Sequence, residues 1–133
     1  MPQAKRILLV DDEEIIVETV TARLEAAGYE VLVARDGPEG FGKAKTEAPD
    51  LIVLDLMLPA MNGYQVCRLL KQDALYRSLP IILFTARAQE RDEKLGFECG
   101  ANAYIRKPFE NSELLGTIQR LLKGSVSRIS HFP

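Results

Sequence analysis

A small set of side chains in this sequence sits where apolar runs stop. Asp11 and Asp12 follow the run ending at Val10, Asp55 follows the one at 51–54, Thr85 the one at 80–84, and Lys107 the short one at 103–105. Brought to one crevice, they would form a group with defined chemistry. Clustered carboxylates repel and disfavour full ionisation, a conflict that a bound divalent cation relieves. Oxygen-only ligands select a hard ion, and Mg²⁺ takes one or two carboxylates together with phosphate oxygens. A carboxylate is also a nucleophile toward phosphorus, giving an aspartyl phosphate. Phosphoryl transfer needs positioning and positive charge around the equatorial oxygens. Lys107 and Mg²⁺ would supply the charge, and Thr85 a neutral donor.

Taken singly, these residues have plainer readings. An Asp-Asp pair after a strand serves as helix cap and first-turn acid, a job open to Asp12. A strand-end Asp is often a turn residue, and a Thr there often caps the next helix. The functional reading rests on all of them standing at the ends of the appropriate strands.

The elements that would position them alternate along the chain. Short apolar runs at 6–10, 30–34, 51–54, 80–84 and 103–105 read as strands. Helical stretches lie between and after them at 15–27, 38–48, 64–72, 90–98 and 112–123. Gly28 marks the stop of the first helix, Asp36 caps the second with Pro38 in its first turn, and Gly40 and Gly42 weaken that helix. Leu114, Leu115, Ile118, Leu121 and Leu122 form one apolar stripe on the last helix. Strict alternation argues for an α/β domain with a parallel sheet. The first, third and fourth strands are apolar on both faces, as a sheet covered on two sides requires. In such sheets the ligand crevice lies at the carboxyl ends of the strands, which is where the five side chains fall.

Bulk composition sets the outer limits. The chain has 133 residues, a length suited to one domain. It is 47% hydrophobic and 27% charged with a net charge of −2, which gives no electrostatic footprint for direct nucleic-acid or anionic-membrane binding. The apolar runs are too short to span a bilayer, and a cytoplasmic location is the expectation. Cys67 and Cys99 match no metal or redox motif and are expected to be packing or surface residues rather than a disulfide. Residues 124–133 lose periodicity and read as a flexible tail or the start of a linker, with His131 inert in it.

As a set, the motifs resemble the receiver domains of two-component response regulators, of chemotaxis-regulator type. The resemblance is carried by Leu8-Leu9-Val10-Asp11-Asp12-Glu13, by the run from Pro49 and Asp50 through Asp55-Leu56-Met57-Leu58-Pro59, by Asn62-Gly63, by Pro80-Ile81-Ile82-Leu83-Phe84-Thr85-Ala86, by Gly100-Ala101 and by Lys107-Pro108-Phe109. It covers about residues 5–123, so the receiver domain is taken as 1–123.

The resemblance implies a flavodoxin-like three-layer α/β/α fold with a five-stranded parallel sheet in the order 2-1-3-4-5, an order that alternation does not give. It implies that Asp55 is the phosphoacceptor, that Asp12 and Asp55 are Mg²⁺ ligands with the Met57 backbone carbonyl, and that Asp11 acts through water. Lys107 would contact the phosphoryl group, Thr85 would swing toward it, and Tyr104 would move inward as the partner switch residue. The Lys107-Pro108 bond would be cis, an isomer confined in practice to X-Pro. Met57 and Arg87 would flank the attacking water, although a solvated cation is the plainer reading of Arg87. The donor would be a sensor histidine kinase or a phosphotransfer protein. The readout would be the surface of the fourth helix, fifth strand and fifth helix, including Tyr104 and Arg106. It would face a downstream effector protein or an output domain, and the family also allows a homodimer on phosphorylation. Transfer and hydrolysis would be self-catalysed, so no enzyme activity on an external metabolite is expected. Stand-alone receiver and receiver cut from a longer regulator are both compatible with the sequence.

Rival readings fare worse. A phosphohydrolase of the haloacid-dehalogenase type would want a second acid at position 57, where Met57 stands. A pseudo-receiver would have lost pocket residues that are all present here. No glycine-rich nucleotide loop follows the first strand.

Overall fold

The computed structural model describes residues 4–85 and 98–123. Strands β1 (Arg6–Val10), β2 (Glu30–Ala34), β3 (Leu51–Asp55), β4 (Ile81–Thr85) and β5 (Ala103–Arg106) form one sheet in the order β2-β1-β3-β4-β5, and every pairing is parallel. This is the flavodoxin-like order. Helices α1 (Glu14–Ala26), α2 (Gly37–Thr46) and α3 (Gly63–Gln72) precede a C-terminal helix at Asn111–Lys123. The helix expected at 90–98, apart from Glu98, lies outside the described residues, as do Arg87, His131 and the stretch from 124 onward. No helix among the described residues is long and apolar enough to cross a membrane.

The period of two along each strand divides the core into two layers. Leu8, Val10, Ile52, Leu54, Ile81 and Leu83 face one side, where Ala44 of α2 and Val66, Cys67 and Leu70 of α3 cover them. Ile7, Leu9, Leu51, Val53, Ile82 and Phe84 face the other, under Val20 and Leu24 of α1 and Leu114 and Ile118 of the C-terminal helix. All twelve strand residues are fully buried, which explains why the central strands read as continuous apolar runs rather than alternating ones.

Local signals set the ends. Gly28 stops α1 with φ at +98°, a left-handed value that glycine tolerates best. Asp36 caps α2 by accepting the Glu39 N–H at 2.8 Å. The second helix was expected to reach residue 48 but ends at Thr46. Ala48 has a φ of +50° and precedes Pro49, a position that disfavours helical backbone. Gly40 is less a weakness than a contact. A Cβ there would fall 2.9 Å from the Val10 methyls, so the missing side chain lets α2 sit close on β1.

Candidate functional site: a carboxylate crevice at the carboxyl edge of the sheet

The acids reach one edge because β1 and β3 are neighbours running the same way. Asp11 continues the β1–β2 ladder by one step, its N–H donating to the Ala34 carbonyl at 3.1 Å. Its carboxylate is fully buried. Oδ1 accepts the Glu13 N–H at 3.0 Å and closes the turn into α1. Asp12, next along the chain, is exposed. It is not the cap of α1. Glu13 occupies the N-cap position with no side-chain capping bond, while the Asp11 carboxylate holds the turn instead.

Asp55 is the last residue of β3, in register with Phe84 of β4, and is 3% exposed. The Met57 N–H donates to its Oδ1 at 3.3 Å. The loop beyond Asp55 is shaped by the start of α3. The Gly63 N–H donates to the Leu56 carbonyl at 3.1 Å, and a Cβ on Gly63 would lie 2.4 Å from the Asp55 carbonyl oxygen. Asn62 caps that helix in a reciprocal box with Gln65, which fixes the angle at which α3 meets the loop. Met57 is 56% exposed.

Lys107 enters from the far side of the sheet. Its N–H donates to the Thr85 carbonyl at 2.8 Å, placing it one step beyond β5. Its Nζ donates to Asp11 Oδ2 at 2.9 Å and to Glu13 Oε1 at 3.0 Å, and stands 3.6 Å from Asp55 Oδ2. The Phe84 ring lies beneath the ammonium, 5.1 Å from Nζ to the centroid. The Lys107-Pro108 bond is cis. Thr85 is fully buried at the end of β4, in register with Arg106. Tyr104 pairs with Leu83 and is half-buried against the layer that α3 covers, while Arg106 is exposed.

The sequence reading therefore finds Asp11, Asp12, Asp55, Met57, Thr85 and Lys107 at one sheet edge, with Tyr104 three residues before Lys107 in β5. It gave no role to Glu13, which takes a hydrogen bond from Lys107. The signal was a third acid directly after Asp11-Asp12, but the pairing spans 94 residues and depends on the fold. Phe84 under the lysine was also missed, since it read as ordinary core.

Electrostatics set what the crevice can do. One carboxylate oxygen each from Asp11, Asp12 and Asp55 lies within 4.8 Å of the other two. Burial pushes the Asp55 carboxyl up to about 6, and the charge of Asp11 adds to the rise, against the opposing pull of Lys107 and the Met57 N–H. Burial alone would lower the Lys107 ammonium, but its bonds to Asp11 and Glu13 and the charge of Asp55 outweigh that and raise it. One cation thus does not neutralise the site. An all-oxygen donor set with excess negative charge fits a hard divalent ion such as Mg²⁺.

Comparison with known proteins agrees with this geometry. Residues 7–119 match the family model described as response regulator receiver domain. The chain is 47% identical to the alkaline phosphatase synthesis transcriptional regulatory protein PhoP of Bacillus subtilis (strain 168), over 91% of this chain and 50% of that protein. It is 40% identical to protein PilH of Pseudomonas aeruginosa, over 90% of this chain and 98% of that one. The chain thus spans about half the length of PhoP and nearly all of PilH. Among solved structures, the receiver domain of the sensor histidine kinase PA1611 from Pseudomonas aeruginosa PAO1 superposes with a TM-score of 0.85 at 32% identity, covering 91% of this chain and 99% of that one. That structure carries a magnesium ion coordinated in its active-site cleft. With the motifs, the sheet order and the acidic crevice all in agreement, the chain belongs to the response regulator receiver domain family of two-component signalling.

Proposed function

We propose that Asp55 accepts a phosphoryl group from a phosphohistidine on a sensor histidine kinase or phosphotransfer protein, with Mg²⁺, and that the phosphorylated state re-sets a partner-binding surface. The observation that carries the reading is the convergence on Asp55 of a cation from the far end of the chain and two further carboxylates, with Lys107 Nζ 3.6 Å from Asp55 Oδ2.

In the transfer, an Asp55 carboxylate oxygen forms the new bond to phosphorus as the phosphorus–nitrogen bond of the donor breaks. The imidazole leaves with that electron pair. Asp12, Asp55 and the Met57 carbonyl would hold Mg²⁺, with Asp11 acting through water. The ion supplies the charge that lets an anionic donor approach several carboxylates. The Met57 N–H orients Asp55 by holding one of its oxygens. Lys107 is within reach to follow the phosphoryl oxygens while remaining bonded to Asp11.

The added group brings nearly two negative charges to the edge of the sheet. Thr85 and Lys107 gain an anionic partner, and Tyr104, half-buried three residues before Lys107, exchanges its present packing for an inward position. The switch is a shift between two arrangements of one fold. Its readout is the face around β5 and the C-terminal helix, including Arg106, toward an effector protein or an output domain. PhoP, of which the matched region covers 50%, is named as a transcriptional regulator. The receiver itself contacts no nucleic acid in this reading. It catalyses only its own phosphorylation and hydrolysis, and dimerisation on phosphorylation is compatible with it.

The test is intact mass after incubation with acetyl phosphate and Mg²⁺, with and without EDTA. A metal-dependent gain of one phosphoryl group, absent in Asp55→Asn, is expected. Labelling that persists in Asp55→Asn would move the acceptor, with Asp12 next in line. Failure of the wild-type chain both to label and to bind beryllofluoride would leave an interaction module without phosphorylation.

A further inference from the structure

Outside the crevice, the two cysteines meet across the fold. Cys67 is in the first half of α3, and Cys99 stands in the turn that leads into β5. They are 32 residues apart in sequence, and the Cys67 thiol donates to the backbone carbonyl of Cys99 itself at 3.6 Å. Both residues belong to the apolar layer between the sheet and α3, with Cys67 fully buried and Cys99 6% exposed.

The surroundings favour one order of events. Cys99 is the more accessible, and the glycine after it, Gly100, has a φ of +102°. The neighbouring Cys67 holds the Cys99 thiol below its usual range, while Cys99 and burial hold the Cys67 thiol above it. Thiolate character and access decide which cysteine is oxidised first.

We propose that Cys67 and Cys99 are an oxidisable dithiol, which a hydroperoxide converts into an intramolecular disulfide tying α3 to the entry of β5. The Cys99 thiolate attacks one peroxide oxygen and the O–O bond breaks. Cys99 becomes a sulfenic acid and the other peroxide oxygen leaves as hydroxide, or as alkoxide from an organic hydroperoxide. The Cys67 sulfur then forms the S–S bond, displacing the sulfenic oxygen, which departs as water with the Cys67 proton. Both sulfurs are oxidised by one equivalent of peroxide, and a dithiol reductant reverses the change. The site is separate from the carboxylate crevice, and its chemistry needs neither Mg²⁺ nor phosphorylation. It would hold the first residues of β5, and hence the approach to Tyr104, against α3.

The experiment treats the full chain with hydrogen peroxide, quenches with an alkylating agent, and reads intact mass and non-reduced peptides. The expected result is a monomer lighter by two hydrogens before alkylation, carrying no alkyl label, with one peptide pair joining Cys67 to Cys99. Dithiothreitol should restore both labels. In Cys67→Ser the disulfide should be replaced by a Cys99 sulfenic acid that dimedone traps. Two thiols that stay fully alkylatable after peroxide, or oxidation yielding only intermolecular disulfides, would overturn the proposal. Dimedone labelling confined to Cys67 in Cys99→Ser, with none on Cys99 in Cys67→Ser, would overturn the stated order.

Discussion

Asp55 is the residue on which acid–base behaviour turns. Its carboxyl is raised to about 6 from an ordinary 3.8, first by burial and then by Asp11. The folded state therefore holds the Asp55 proton more tightly than the unfolded chain does. The associated stabilisation is complete below the unfolded value, and is lost as pH rises through about 6. In metal-free protein at pH 8 the ionised Asp55 is a burden. Asp55→Asn should then be more stable than wild type, by on the order of 1–3 kcal/mol from a shift of this size. The advantage should vanish near pH 4. Thermal melts of both chains across that range in EDTA check this, and equal melting temperatures at pH 8 would contradict it. Adding Mg²⁺ should stabilise the wild type more than the variant, because the ion takes over the role of the missing proton.

That these residues share one edge was legible in the sequence because each ends or closely follows a strand, and a parallel sheet sends all strand ends to one edge. What could not be read was which acid would meet Lys107. Asp11, fully buried, and Glu13, exposed, take its hydrogen bonds, while Asp12 stands between them. That alternation is set by the turn that the Glu13 N–H makes with the Asp11 carboxylate.

At the scale of elements, α3 is seated by what it lacks. Gly63 begins that helix, and a Cβ there would overlap the Asp55 carbonyl oxygen at 2.4 Å and the Leu56 Cα at 2.9 Å. Both obstacles are backbone and cannot rotate away. Gly63→Ala should therefore destabilise the protein, although alanine is the better helix former, and it should displace the loop carrying Met57. We expect a loss of about 2 kcal/mol or more, typical of overpacking, measured by urea denaturation, with weaker Mg²⁺ binding. A neutral or stabilising Gly63→Ala would mean that α3 is free to retreat. Propensity alone misjudges this position, as it did Gly40, because the cause is an approach between distant segments. The bounds of β1 and β2 match the sequence, while those of β3, β4 and β5 differ by a residue for a related reason. Asp55 and Thr85 count as strand because a neighbour pairs with them, at Phe84 and Arg106 respectively, and not because of their own preferences.

At the scale of the whole molecule, the sheet separates two apolar layers that share no side chains among the described residues. Val66 lies in one and Leu114 in the other, each fully buried. Val66→Ala and Leu114→Ala should each cost on the order of 1–4 kcal/mol, and the double variant should lose their sum to within about 0.5 kcal/mol. A coupling well above that, in urea melts of the three variants, would mean that strain passes through the sheet. The two-sided cover was legible from the unbroken apolarity of β1, β3 and β4. The order of the strands was not, since alternation fits several orders, and it entered through the family resemblance.

That strand order bears on how the chain can be assembled while it is being made. β1 comes first and has two open edges. β2 takes one of them and β3 the other, β4 then adds to β3, and β5 to β4. Each strand after β1 pairs with one that precedes it in the chain and that would lie at a rim of the growing sheet. None has to be threaded between two that are already joined. The domain can therefore grow outward from its first strand in the order of translation, without a completed pairing ever having to reopen.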